Sequence, residues 1–353
     1  MAKNVILIAW ILSTASSYSQ NIGIGTNNPK ARLHIADSSV LFTGIAPLPF
    51  SPHDPPVTGA GTRMMWYPDK AAFRTGGVSG DHWDQIFISN YSFAAGYNVI
   101  AGGVSSIAMG TNCTSQGDES VSIGLSSASF GNQAISLGIS CEANGTSSVA
   151  IGNNAFATGS YSIALGNHVS TSGHEGSFAL GDHSTTTQMN SFQPNRFRSR
   201  FANGYQLFTN SAATIGAVLN ANANSWGVLS YVRLKENFLP VNGESFLQKI
   251  AAMPQYTWNY IGQDVKTLRH YGPMAQDFYA AFGNDALGEI GCDTMINQQD
   301  FLGVNLIAIQ ALEKRTTLLK KETVETTTML LRRIELLEEQ NKRLWQLLEE
   351  KRK

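Results

Sequence analysis

Residues 106–110 read Ser106-Ile107-Ala108-Met109-Gly110, and the phrase returns as Ser148-Val149-Ala150-Ile151-Gly152 and Ser162-Ile163-Ala164-Leu165-Gly166. Gly96, Gly110, Gly124, Gly138, Gly152 and Gly166 are spaced by 14 residues, and Gly181 follows after 15. A second series, Gly103, Gly117, Gly131, Gly145, Gly159 and Gly173, keeps the same period half a repeat away. Repetition at a fixed short period is the mark of a solenoid. Within the phrase, apolar residues alternate with small ones, at 107/109, 121/123, 135/137, 149/151, 163/165 and 178/180. That alternation predicts a strand with one apolar face. Glycine at a fixed phase predicts sharp corners, two per 14 residues, so each repeat is one coil. Stacking then puts Ile107, Val121, Ile135, Val149 and Ile163 in one ladder, with rungs about 4.8 Å apart. A single coil buries little, so stability has to come from stacking and from neighbouring chains.

Composition agrees. Of 353 residues, 14% are charged and 33 are Gly, which points to repetitive β structure and away from a compact enzyme. Residues 1–19 read as an export signal, with Lys3 ahead of the apolar stretch Val5 to Leu12, too short for a permanent membrane span. The expected location is outside the cytoplasm: periplasmic, cell-surface or extracellular. No later segment is apolar enough to span a bilayer, so no integral membrane segment is expected after signal cleavage. Cys113, Cys141 and Cys292 are odd in number, which excludes a complete intrachain disulfide framework. Cys113 and Cys141 sit two repeats apart in one phase, about 9.5 Å, and are read as free thiols. No metal or cofactor motif is present; Gly23 and Gly25 lack the third glycine of a dinucleotide loop. From Arg74 to Arg196 there is no intervening Lys or Arg, while Asp118, Glu119, Glu142, Glu175 and Asp182 are acidic. Such a stalk excludes nucleic acid as a partner.

Around the repeats, 20–91 reads as an N-terminal β segment. It holds an alternating strand at Ala31–Ile35, a Pro-rich linker from Pro47 to Pro56, and a hairpin turning at Pro68-Asp69 with mostly core aromatics. Residues 92–189 hold the repeats. Residues 190–229 read as a closing β segment, where Phe192, Phe197, Phe201, Tyr205 and Phe208 interleave with Arg196, Arg198 and Arg200. From 230 to 320 charge and helix formers return. A long helix is expected from Ala311 to Lys353, with a coiled coil over 321–353. Its seams are Leu330, Leu337 and Leu344 on one side and Ile334, Asn341 and Leu348 on the other. Leu319 lies eleven residues before Leu330, a stutter.

The repeats resemble the head repeats of YadA-like trimeric autotransporter adhesins, over about residues 92–181. The resemblance implies a left-handed parallel β-roll with three chains side by side, hence a homotrimeric fibre or adhesin stalk. This chain ends in a charged helix where those adhesins have a membrane barrel, so autotransport does not carry over. The N-terminal part is similar to openings of secreted tail-fibre-like proteins of Bacteroidota. Three motifs of the C-terminal part resemble the intramolecular chaperone domain of endosialidase tailspikes. They are Ser230-x-x-x-x-Lys235-Glu236-Asn237, Tyr256-x-Trp258 and Gly272-x-x-Ala275-Gln276-Asp277. That resemblance implies an α+β domain that trimerises, templates the fibre ahead of it, and cuts itself off once, with Ser230 as nucleophile and Lys235 as general base of a serine peptidase. The family usually has Asp after the Ser; here it is Tyr231, and a non-cleaving fibre is the alternative reading. Along one extended strand Ser230 and Lys235 would lie about 16 Å apart on opposite faces, so a dyad needs a turn or a Lys from another chain. A secreted glycan hydrolase is disfavoured, since repeats stand where a catalytic domain would. Nothing in the sequence identifies a surface or host ligand for the stalk.

Overall fold

In the computed structural model, which describes residues 21–352, the small residue of each phrase points into the coil and the apolar ones point out. The export signal lies outside the described residues. Strands Phe93–Tyr97, Ile107–Thr111, Val121–Leu125, Ile135–Ile139, Val149–Ala157, Ile163–Ser170 and Phe178–Gly181 pair in parallel, one per repeat. Short strands such as Thr114–Ser115, Ala128–Ser129 and Glu142–Ala143 pair in parallel on the other side of the coil. The register is strict: Phe73, Phe93, Ile107, Val121, Ile135, Val149, Ile163, Phe178 and Phe197 form one column. Phe73 stacks on Phe93 at one end and Phe178 meets Phe197 edge-on at the other.

The next column, Ala94, Ala108, Ser122, Ser136, Ala150, Ala164 and Ala179, is fully buried. Opposite it lie Ala101, Cys113, Ser115, Ser127, Ser129, Cys141, Ala143, Ala155 and Ala157, also buried. The interior is therefore built of small residues, and its hydroxyls tie down corner carbonyls. Ser122 Oγ donates to Ser127 O at 2.7 Å, Ser136 Oγ to Cys141 O at 2.9 Å, and Ser127 Oγ to Gly138 O at 2.9 Å. Ser115 and Ser120 share a hydrogen bond at 2.6 Å. Where the residue five places upstream is Ala101 or Ala143, the corresponding Ser106 and Ser148 hydroxyls find no protein partner. Cys113 and Cys141 are free and buried, each thiol donating to a carbonyl, Gly124 O and Gly152 O, at 3.1 Å. Burial pushes the Cys141 thiol up.

The coil begins one strand before the 14-residue phrases. Gly61–Tyr67 and Ala72–Val78 form the expected antiparallel hairpin, turning through Pro68–Lys70, and the second strand pairs in parallel with Phe93–Tyr97. The hairpin's apolar residues divide by parity: Met65 and Tyr67 are buried, while Met64 lies on the exposed face and the aromatics Trp66 and Phe73 are only partly buried. The Pro-rich stretch is not a free linker. Pro55 is buried, Gln85 Nε2 donates to Pro52 O at 2.5 Å, and the Tyr67 hydroxyl donates to His53 O. Nearer the N-terminus, Ile22–Ile24 pairs in parallel with Leu33–Ile35.

Arg74 takes the inner column's first place and is wholly buried. It donates to Phe73 O, Ser92 O, Ser92 Oγ and Ala101 O at 2.8–3.1 Å, tying together the first turn of the coil. Among the described residues no carboxylate pairs with it, and burial pushes its pKa down to about 10. Arg74→Met keeps the bulk but removes these bonds, each charge-assisted one contributing roughly 1.5–3 kcal/mol, partly offset by relief of the cation's desolvation. The expected net loss is about 2 kcal/mol, seen as a lower denaturant midpoint of the stalk with unfolding of the C-terminal unit unchanged; an unchanged stalk midpoint refutes the capping role.

At the other end Phe197–Arg200 adds a last parallel rung to Phe178–Gly181, putting Arg198 in the inner column. The closing segment thus divides: its first strand extends the coil, and Gly204–Phe208, Gly216–Asn220 and Gly227–Val228 form a separate three-stranded sheet. By contacts the chain divides into two compact units, one reaching Tyr205 and including Asn220–Asn224, the other formed by Gln206–Leu219 and Ser225–Lys353.

In the second unit, helix α1 (Gly243–Ala252) is capped by Asn242, whose side chain accepts from Glu244 N and Ser245 N. Tyr256–Trp258 and His270–Gly272 form an antiparallel pair, and α2 (Ala275–Phe282) follows. Helix α3 runs unbroken from Gln298 to Glu350, starting thirteen residues before the expected Ala311 because Asn297 supplies the cap. Gly303 sits inside it with nothing near its missing side chain. Phe278, Phe282 and Val304 form the core, with Phe246, Ile250 and Phe301 against it. Beyond Ala311 no residue of α3 is buried; Leu330, Ile334, Leu337, Leu344 and Leu348 are about half exposed, between 47% and 58%.

Candidate functional site

After Gly227–Val228 the chain runs extended through Ser230 and Tyr231, then makes a single 3-10 turn over Val232–Leu234. Leu234 N donates to Tyr231 O at 3.0 Å and Lys235 N to Val232 O at 3.1 Å. This turn replaces the extended path that would have held Ser230 and Lys235 apart. It brings the two side chains together within one chain, Nζ lying 2.8 Å from Ser230 Oγ. The turn that the pairing called for is thus present within the single chain.

A lysine at that distance can take the hydroxyl proton once it is neutral. As an ammonium it can only donate to the oxygen. Ser230 and Lys235 are both exposed in the single chain. The pair has the geometry of a nucleophile and base without the dry surroundings. Nearby apolar side chains are available to supply them: Tyr231, Val232, Leu234, Phe238, Leu239 and Val241 are all 45–67% exposed. Tyr231, where the related domains usually have Asp, is covered by the Arg233 guanidinium, 5.7 Å from its ring centroid. Among the described residues neither Glu236 nor Asn237 makes a side-chain hydrogen bond to the pair.

The other motif residues of this unit gather elsewhere on it. Trp258 and His270 are cross-strand partners with rings stacked at 4.6 Å, and Tyr260 packs edge-on against both. Arg269 fixes the strand pair by donating to Thr257 Oγ1 at 2.7 Å and Asn259 Oδ1 at 3.0 Å. The Tyr256-x-Trp258 motif and the Gly272 motif, two residues after His270, are thus brought side by side by this strand pair.

A family model described as the chaperone of endosialidase matches residues 232–287, which takes in Lys235 and begins two residues after Ser230. A model described as the YadA head domain repeat matches twice, at 101–127 and 143–168. The chain carries both, in that order. Each model spans a minority of the chain, and no curated protein and no solved structure matches it. Together the two matches support a fibre or adhesin-type protein that is trimeric, ending in an intramolecular chaperone. Among the described residues no helix is long and apolar enough to cross a membrane.

Proposed function

We propose that this chain is an exported, homotrimeric fibre whose C-terminal domain clamps three chains together during folding and then releases itself by a cut beside Ser230. The observation that carries the trimer is the outer column. The coil fills its own interior with small residues, so Ile107, Met109, Ile123 and Ile163 stay 36–38% exposed in one aligned face. A continuous aliphatic stripe along a soluble fibre is a packing surface. The half-exposed leucines of α3 offer a second, coiled-coil seam at the end where assembly would begin.

For the cut, Ser230 Oγ attacks a neighbouring peptide carbonyl while Lys235 Nζ takes its proton. The amide C–N bond breaks as that proton passes to the leaving nitrogen, leaving an ester on Oγ. Water then hydrolyses the ester, giving a carboxylate and restoring the hydroxyl. Packing of three chains around the exposed Tyr231–Val241 arm would dry the pair and bring Lys235 to its neutral form. The export step rests on the sequence of residues 1–19 alone.

The test is a denaturing gel of the purified chain beside Ser230→Ala and Lys235→Met, with light scattering on each. Two fragments in wild type, one full-length band in both variants, and a trimer in all three is the expected result. A single band in wild type removes the peptidase and leaves the chaperone. A folded wild-type monomer removes the fibre reading altogether.

A further inference from the structure

The aromatic and basic run at the end of the coil has no role in the reading above, and its geometry is distinctive. Arg196 and Arg198 each place their guanidinium carbon 4.7 Å from the centroid of the one Phe192 ring. The two guanidinium carbons are therefore no more than twice that distance apart, comparable with the Debye length of about 8 Å at physiological salt. Among the described residues neither lies within ion-pairing distance of a carboxylate. Arg200, by contrast, is already engaged, with Asp182 Oδ1 at 3.5 Å and Thr187 O at 2.8 Å. Arg198 donates once, to Asn190 O; Arg196 makes no hydrogen bond. Phe192 holds both in place while remaining 57% exposed.

These are the first cations after Arg74, at the end of an acidic coil. Two like charges held over one ring repel each other unless something neutralises them, and among the described residues no carboxylate stands within ion-pairing distance of either. We propose that Phe192, Arg196 and Arg198 form a binding site for a single oxyanionic group, a carboxylate or sulfate of an acidic glycan. Guanidinium forks match such groups with paired hydrogen bonds. The acidic residues along the stalk disfavour a nucleic-acid strand lying along it. All three residues belong to one chain, so the site does not depend on the trimer or on cleavage.

Surfaces bearing hyaluronan, dextran sulfate and unmodified dextran separate the sources of the anion. Full-length protein should be retained on a charged surface and not on dextran, with hyaluronan and dextran sulfate reporting carboxylate and sulfate respectively. Arg196→Gln, which breaks no hydrogen bond in the fold, should weaken retention about tenfold, the loss expected for one charge-assisted contact. Arg332→Gln with Arg333→Gln on α3 should leave it unchanged and so controls for general basicity. Equal retention of wild type and Arg196→Gln, or equal loss in the α3 control, overturns the site.

Discussion

Replacing Gly124 with alanine should abolish the ordered stalk. The backbone there has φ of +132°, a region an L side chain scarcely enters, and an added Cβ would stand 2.0 Å from Gly138 O on the next rung. The obstacle is backbone, fixed by the same parallel ladder that defines the coil, so no rotamer change relieves it. Rungs at about 4.8 Å spacing would have to part, breaking pairs such as Val121 N to Ala134 O at 2.9 Å. Strain at such a φ costs about 1–3 kcal/mol by itself. With the clash added, the loss exceeds about 4 kcal/mol, the range reserved for direct steric or core failure. Gly173→Ala is the matched control: φ is +78° and nothing lies within 4 Å, so only a backbone penalty of about 1–2 kcal/mol remains. Thermal unfolding by circular dichroism, with limited proteolysis of the coil, distinguishes the two. A Gly124→Ala chain as stable as Gly173→Ala would mean the rungs are not closed as described.

The two glycine series explain what could be read from the sequence. Both were visible as a period, yet they do different work. The first series turns the chain through positive φ. In the second, Gly103, Gly117, Gly131 and Gly145 have ordinary φ and are needed because the next rung's carbonyl lies 2.0–2.1 Å from where a Cβ would be. Positive φ at the other corners falls on Ser105, Glu119, Gln133, Ser147 and Tyr161, and Glu119, Gln133 and Tyr161 are not residues that composition marks as turn formers. Which column faces inward was also hidden, because alternation fixes two faces without saying which is the core. Coil diameter decides it: two walls this close admit Ala, Ser and Cys, and exclude Ile. At the candidate site, the residue types and spacing of Ser230 and Lys235 were legible, but their proximity was not. A single 3-10 turn, with no Gly or Pro to announce it, makes the difference between opposite faces and 2.8 Å. The early start of α3 was missed for a similar local reason, since Asn297 caps it ahead of a stretch whose Gly303 reads as a breaker.

Ile135→Asp tests the outward column, and its outcome depends wholly on whether other chains cover it. In an isolated coil the side chain lies between Val121 and Val149, partly in water, and a carboxylate there can stay hydrated. The cost is then a strand-propensity difference of about 1 kcal/mol or less, and the chain remains folded. In a trimer packed through this column, three unpaired carboxylates are buried together. Each carries a desolvation penalty of several kcal/mol, and their mutual repulsion adds to it. The expected result is a chain with wild-type circular dichroism that elutes at one third of the wild-type mass. Ser136→Asp, one residue along and pointing into a coil with no free volume, should instead unfold the rung whatever the assembly state. The pair separates interior from interface within two adjacent positions. If Ile135→Asp remains trimeric, the aliphatic column is a surface, and the force that gathers three chains has to be sought in α3 alone.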